Sequence, residues 1–303
     1  MKKILIITSS VDYTVDYIIT KYSNECKFYR VNVDKFDNYK FNISYDEGFC
    51  IINSQWRIGE DDIDAIYYRK PILPDLSKYE ICYHKMISQD IISYINGIVD
   101  GFEKKVLTKP IILRQSENKV YQAKIAKKVG FEFANSSIGT SVDNINDVIS
   151  SGGIIKPLTT GKIVNGQKCE LIQTSRIDTY IEEDISLTPI YVQEYVEKYY
   201  ELRITIVDDK IYPVRIDAYN IVDWRVNQEY NKYSLVDIPK NIENKCLEML
   251  KILNLKFGAF DFIVNKKEEF IFLEVNPNGQ WLWLEEILDL NISQEIVRYL
   301  QGE

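Results

Sequence analysis

The chain has 303 residues, more than one ordinary core serves, so two or three subdomains are expected. Its 46% hydrophobic and 27% charged content is that of a soluble globular protein, and no apolar run approaches the ~20 residues of a transmembrane helix. Lys+Arg 37 against Asp+Glu 45 leaves a net charge of −8, which argues against nonspecific binding to nucleic acid or to a membrane surface.

The N-terminus, MKKILIITSS, has an apolar part of only Ile4 to Ile7. That is shorter than the ~7–15 residues of a signal-peptide core, so 2–8 read as a buried parallel strand. A helix over Val11 to Tyr22, a strand at 28–34 and a hairpin from FNISY and FCIINSQ follow. DAIYYRKP (64–71) is a further strand ending at Pro71, Ile81 to Phe102 is helical, and VLTKPIIL (106–113) closes the segment. Strands alternating with helices predict an α/β layer with a largely parallel sheet over 1–113.

A second unit, 114–190, opens with an amphipathic helix, Glu117 to Gly130, ending at a C-cap glycine. Two strands and a helix lead to Gly152-Gly153, then a strand IIKPL (154–158), a Gly/Thr-rich loop TTGKIVNGQ and a strand CELIQTSRI. The third unit, 191–303, is almost continuous β through IYVQEYV, LRITIVDD and KIYPVRIDAY. A helix at Ile242 to Leu253, a β-hairpin over 258–276 and a last helix at Ser293 to Leu300 complete it.

The five cysteines, odd in number and without a Cys-x-x-Cys pair, predict reduced thiols in a cytoplasmic protein. The single histidine, His84, excludes any site that needs two from this chain and reads as structural.

The hairpin carries the chemistry. Asp261 lies in one apolar run, and Glu274 in the next, which leads into Asn276. Folding the hairpin brings three oxygen donors together, a plausible Mg²⁺ site; taken alone, the acids could equally face outward from an amphipathic hairpin. Lys119 opens a helix, and Lys156 ends an apolar strand before a loop, Leu158 to Gly161, small enough to lie over phosphates. Lys156 stands evenly between a phosphate ligand and a snorkelling edge lysine. Gln193, Glu194 and Tyr195 could serve an adenine edge, and Glu201 ribose hydroxyls. Arg203, two residues after Glu201, faces the same side. Arg215, on the next strand, would add a second guanidinium on that face if the strands pair. A cross-strand ladder with Glu201 and Asp217 is the alternative.

Lys119, Lys156-Pro157, Q-E-Y-V, E-x-R and D…E-x-N stand in the order and approximate spacing of the ATP-grasp superfamily, which residues ~114–285 resemble. The strand AIYYRKP and the run NPNGQWLWLE resemble two signatures of its graspetide (microviridin-type) peptide macrocyclases. The resemblance implies an ATP-grasp fold of mixed α/β (α+β) class: an N-terminal α/β domain, a central subdomain, and a C-terminal antiparallel-sheet subdomain. It assigns phosphate contacts to Lys119 and Lys156, adenine to Gln193, Glu194, Tyr195 and Val196, ribose to Glu201, and Mg²⁺ to Asp261, Glu274 and Asn276.

It further implies an ADP-forming ligase that phosphorylates Glu or Asp carboxylates of a ribosomally made precursor peptide and joins them to Thr or Ser hydroxyls or Lys amines. Arg203 and Arg215 would stabilise the acyl phosphate and its adduct, and catalytic Lys156, with Lys119, would help neutralise the phosphates. No residue is an obvious general base for the attacking hydroxyl; Asp217 and Glu201 are offered for it. The loop Thr159 to Gly166 would order over ATP, and the segment from Cys169 to Pro189, acidic at Glu182, Glu183 and Asp184, would dock a leader peptide with a basic stretch. A homodimer is also implied. Two alternatives stay open: another ATP-grasp carboxylate–amine ligase acting on a peptide or amino acid, and a non-catalytic nucleotide-binding protein.

Overall fold

The computed structural model describes residues 1–150, 152–159, 162–165, 168–171, 174–177, 179–181, 185–220, 224–225 and 228–303. Gly161 and Gly166 of the Gly/Thr-rich loop, and the acids Glu182, Glu183 and Asp184, lie outside the described residues.

Lys2–Thr8 (β1) is buried along its apolar length, as a strand covered on both faces requires. Asp12 ends the following turn and caps Tyr13–Lys21 (α1), accepting from Thr14 N at 3.1 Å and Val15 N at 3.4 Å. Cys26–Asn32 (β2) returns parallel to β1. Lys40–Ser44 (β3) and Gly48–Ile52 (β4) form the expected hairpin, and Arg57–Gly59 (β5) extends it to three strands. Ala65–Tyr68 (β6), the long helix Ile81–Gly101 (α2) and Lys105–Leu107 (β7) complete a parallel sheet of order β2-β1-β6-β7.

The segment 106–113 splits in two: after β7, Pro110–Ser116 (α3) is a helix with Pro110 in its first turn, where the missing N–H is not needed. Lys119–Lys128 (α4) is capped by Asn118, whose side chain accepts from Tyr121 N at 3.0 Å. Gly130 follows at φ +81, the left-handed position that glycine fills without strain. Between Gly130 and Gly152 stand one strand, Ser136–Gly139 (β8), and one helix, Val142–Ile149 (α5), where two strands are expected. The missing strand reduces to a single bridge, Glu132 to Ile271. Gly153–Lys156 (β9), the hairpin Lys162–Asn165 (β10) and Lys168–Leu171 (β11), Ser175–Ile177 (β12) and Ile190–Glu194 (β13) follow. Four of these strands make an antiparallel sheet, β12-β9-β13-β8.

Tyr200–Val207 (β14), Lys210–Asp217 (β15) and Lys232–Leu235 (β16), then Lys240–Ile252 (α6), Phe257–Val264 (β17) and Phe270–Asn276 (β18), build a five-stranded antiparallel sheet, β16-β15-β14-β17-β18. Leu282–Leu288 (α7) and Ile292–Gln301 (α8) end the chain.

One face of this sheet, through Leu202, Ile204, Phe260 and Phe262, packs on Ile125 of α4 and on Met249 and Leu250 of α6. The other face, through Val207, Val214 and Phe257, joins a core with Ile4 and Ile6 of β1, Val15 of α1, and Trp281, Leu284 and Ile296. Toward the other end of this second face Glu201, Arg203 and Asp261 bring polar groups in beside Ile216 and Ile263, and there the site lies. Among the described residues no helix is long and apolar enough to cross a membrane.

Candidate active site

Register decides which side chains meet. Arg203 stands opposite Asp261 across β14 and β17, Asp261 opposite Glu274 across β17 and β18, and Ala259 opposite Asn276. Opposed residues share a face, as do alternate residues along a strand. Glu201, Arg203, Asp261, Glu274 and Asn276 therefore line one side of the sheet.

A β-bulge makes this possible. The pairs Val264–Phe270 and Phe262–Phe272 set a register that, if continued, would oppose Glu274 to Phe260 on the apolar face. The register shifts between Asp261 and Phe262, so that Glu274 opposes Asp261 instead. Strand β18 lies at the edge of its sheet, and Gln122 of α4 fixes it there. The Gln122 amide donates to Val275 O at 2.8 Å and accepts from Val275 N at 3.0 Å, replacing the bonds of a neighbouring strand.

The three oxygen donors converge. Asn276 Nδ2 donates to Asp261 Oδ2 at 3.1 Å and to Glu274 Oε1 at 3.3 Å. Arg203 Nη1 donates to both Asp261 oxygens, at 2.8 and 2.6 Å. Burial and then the Glu274 charge push the Asp261 carboxyl up, against the opposing pull of Arg203. Burial also raises Glu274, but Lys119, Lys156 and Arg225 together outweigh it and hold this carboxyl below its ordinary value. Among the described residues no group of three or more His, Cys, Asp or Glu is placed to hold a metal. Two carboxylates with an amide oxygen form a hard-donor set of the kind Mg²⁺ takes when other oxygens complete its shell.

Two lysines approach this set, Lys119 from the start of α4 and Lys156 from the end of β9 in the other sheet. Lys119 Nζ lies 3.5 Å from Glu274 Oε2 and donates to Pro157 O at 3.0 Å. Lys156, opposite Tyr191 across β9 and β13, lies 4.3 Å over that ring and donates to Gln193 Oε1 at 3.0 Å. Burial lowers its pKa to about 8, against the Glu274 charge, while Lys119 lowers it further. Two cations and two carboxylates thus bridge the gap between the two antiparallel sheets, a setting in which added phosphate charge would be met from both sides.

The remaining residues divide. Gln193 is buried and its side chain is committed, holding Lys156 and donating to Ser136 Oγ at 3.0 Å. Glu194 is exposed, with its N–H bonded to Asn135 O at 2.8 Å, and Tyr195 N donates to Gly152 O at 3.3 Å. Val196 is half-buried beside them. Glu201 is buried and ion-paired with Lys198.

Arg215 corrects an expectation. The strands β14 and β15 do pair, but Arg215 opposes Leu202 while Arg203 opposes Val214, so the two guanidiniums point to opposite faces. Arg215 binds Asp217 at 2.7 to 3.0 Å and stacks over Tyr200 at 4.3 Å and Tyr199 at 5.0 Å. Asp217, offered above as a base, stands with it on the far face.

Sequence reasoning also missed a contact between its own two signatures: Arg69 of YYRKP donates to Gln280 and Asn278 of NPNGQ. No local periodicity signals a pair 211 residues apart.

Residues 116–300 match the model of the RimK-like ATP-grasp domain. No curated protein matches. Among solved structures, a RiPP-associated ATP-grasp ligase of Chryseobacterium gregarium, in complex with ADP and a leader and core peptide, superposes with a TM-score of 0.91 at 25% identity, covering 100% of this chain and 97% of that one. The macrocyclase MdnC of Microcystis aeruginosa MRC, bound with precursor peptide MdnA, matches at 0.87 and 23% identity over 99% of this chain and 100% of that one. The macrocyclase MdnB of the same organism matches at 0.80 and 22%, over 99% of each chain. At these last two identities the likeness concerns the fold alone.

Proposed function

The chain belongs to the RimK-like ATP-grasp domain family, and from that premise we propose that it is an ATP- and Mg²⁺-dependent macrocyclase of a ribosomally made precursor peptide. The observation that carries this reading is the two-way coverage, 100% and 97%, with a ligase solved with ADP and with leader and core peptide. Likeness over the whole length includes the N-terminal α/β unit, not only the nucleotide-binding part.

In this scheme an oxygen of an acceptor Glu or Asp side chain attacks the γ-phosphorus of ATP, and ADP leaves. A Thr or Ser hydroxyl, or a Lys amine, then attacks the acyl phosphate. It loses its proton, expels phosphate and leaves an ester or an amide. Asp261, Glu274 and Asn276 would hold Mg²⁺, whose contribution is to neutralise phosphate charge. Lys119 and Lys156 place ammonium charges beside that set, where phosphoryl transfer depends mainly on positioning and charge. Arg203 steadies Asp261, and its buried Nε, without a hydrogen-bond partner among the described residues, remains a donor for an incoming oxygen. We assign Glu201 to ribose and the 193–196 stretch to adenine, with the side chain of Gln193 acting on Lys156 instead of on the base. Arg215 has no part in this reading.

The precursor would carry a leader and a core rich in Thr and Glu. A homodimer is the proposed assembly, which sedimentation would test. The free thiols Cys26, Cys50, Cys82 and Cys246 suit a cytoplasmic setting. The decisive experiment incubates the protein with a candidate precursor, ATP and Mg²⁺ and reads intact mass. Loss of one water per ring, with ADP formed, supports macrocyclisation. A gain equal to one amino acid would replace it with the ligase alternative.

A further inference from the structure

Arg69 directly follows β6 and is 1% exposed, among the largest fully buried side chains. Its Nη2 donates to Gln280 Oε1 at 2.5 Å and to Thr14 Oγ1 at 3.1 Å, and its Nη1 to Asn278 Oδ1 at 3.4 Å. Its Nε lies 3.2 Å from Asp12 Oδ2. Asp12 is itself fixed: it accepts from Thr8 Oγ1 at 2.9 Å and caps α1. The guanidinium is thus anchored to the parallel sheet on one side and directed at the 276–280 loop on the other.

That loop is also held from beneath. Arg203 Nη2 donates to Gln280 O at 3.4 Å, and Gly279 sits so close that a Cβ there would lie 2.7 Å from the same nitrogen. The four residues after Asn276 therefore lie between two buried guanidiniums. One comes from the N-terminal sheet and the other from the sheet that carries Asp261.

We propose that Arg69 is a positioning residue for the cation site: by fixing Asn278 and Gln280 it sets where Asn276 presents its amide beside Asp261 and Glu274. The inference rests on the metal assignment made above. Burying a guanidinium contributes little net stability, and well-packed apolar residues serve a core as well or better. A buried Arg that spends its donors on a ligand-bearing loop has the character of the outer shell of a metal site. Such partners tune affinity by about 10- to 100-fold.

The test measures ADP affinity by calorimetry with and without Mg²⁺, together with the thermal midpoint. It uses Gln280→Ala, Arg69→Lys and, as reference, Glu274→Gln. Gln280 is exposed, so Gln280→Ala opens no core cavity, and with Asp12, Thr14 and Asn278 still holding the Arg69 guanidinium the midpoint should fall only slightly. The expected result for Gln280→Ala is a loss of about tenfold in Mg²⁺-dependent ADP affinity with metal-free affinity unchanged. Arg69→Lys should lose at least as much, and if it fails to fold, Gln280→Ala alone decides. Wild-type Mg²⁺ dependence in Gln280→Ala, with Glu274→Gln impaired, overturns the positioning role and leaves the metal assignment standing. Wild-type dependence in Glu274→Gln overturns the assignment itself, and this inference with it.

Discussion

Arg203 and Asp261 oppose each other across β14 and β17, and one guanidinium nitrogen reaches both carboxylate oxygens. With side chains only 6% and 13% exposed, neither charge can turn to water if the other is removed. Arg203→Ala is expected to destabilise the fold by about 3 kcal/mol, since breaking a buried pair leaves an uncompensated charge. Adding Asp261→Asn should recover part of that loss, a coupling that a double-mutant cycle in urea measures. Additive effects would show that the pair does not act as one. Neither variant should turn over.

Lys156 gives the site a pH signature. Its pKa, lowered by burial to about 8, puts loss of its charge within reach of mild alkali. Nucleotide affinity should fall as pH rises through about 8, and binding above that pH should take up a proton, visible in buffers of different ionisation heat. Stability moves the other way. Between about 8 and the ordinary 10.5 the unfolded chain binds the extra proton, so this group's contribution to stability rises with pH. Lys156→Arg, permanently charged, should abolish the alkaline decline in affinity. An identical decline in that variant would assign it elsewhere.

Gly279 tests how closely the loop must approach the sheet. A Cβ would meet Arg203 Nη2 at 2.7 Å, Ala259 Cβ at 2.9 Å and Asn276 Cβ at 3.3 Å. The guanidinium could yield, but Ala259 sits on a central strand and cannot. Gly279→Ala should cost about 1–3 kcal/mol as overpacking, and it should separate Arg203 from Asp261. Turnover should fall far more than the melting temperature suggests, and a crystal structure of the variant would show the broken pair. Wild-type activity would mean that the loop has slack.

Much of this was legible in the chain, and the exceptions have identifiable causes. The apolar run of β1, the β3–β4 hairpin and the β17–β18 hairpin follow from hydrophobic patterning alone. Alternation along β18, however, groups Glu274 with Phe270 and Phe272 on the apolar face; only the bulge beside Asp261 turns it to the site. The face of Arg215 depended on a pairing register that neither strand encodes by itself. In 106–113 the apolar residues suit strand and helix alike, and Pro110 marks the change between them. The grip of Arg69 on Gln280 joins distant segments, and no local signal announces it.

The last prediction separates architecture from chemistry. Glu285 of α7 is buried and accepts from Lys21 Nζ and Tyr17 OH of α1, each at 2.9 Å, and from Ser293 N at 2.6 Å and Oγ at 2.5 Å. It ties the first helix to the last two on the apolar end of the sheet, away from the cation set. Lys21 is 40% exposed, so water screens part of the pair. Glu285→Ala removes the acceptor of four donors, some of which keep other partners, and should cost about 2–3 kcal/mol in chemical denaturation, since hydrogen bonds to charged groups contribute about 1.5–3 kcal/mol each. Mg²⁺-dependent ADP affinity of the folded fraction should equal wild type. A loss of that affinity without loss of stability would instead place Glu285 in communication with the site.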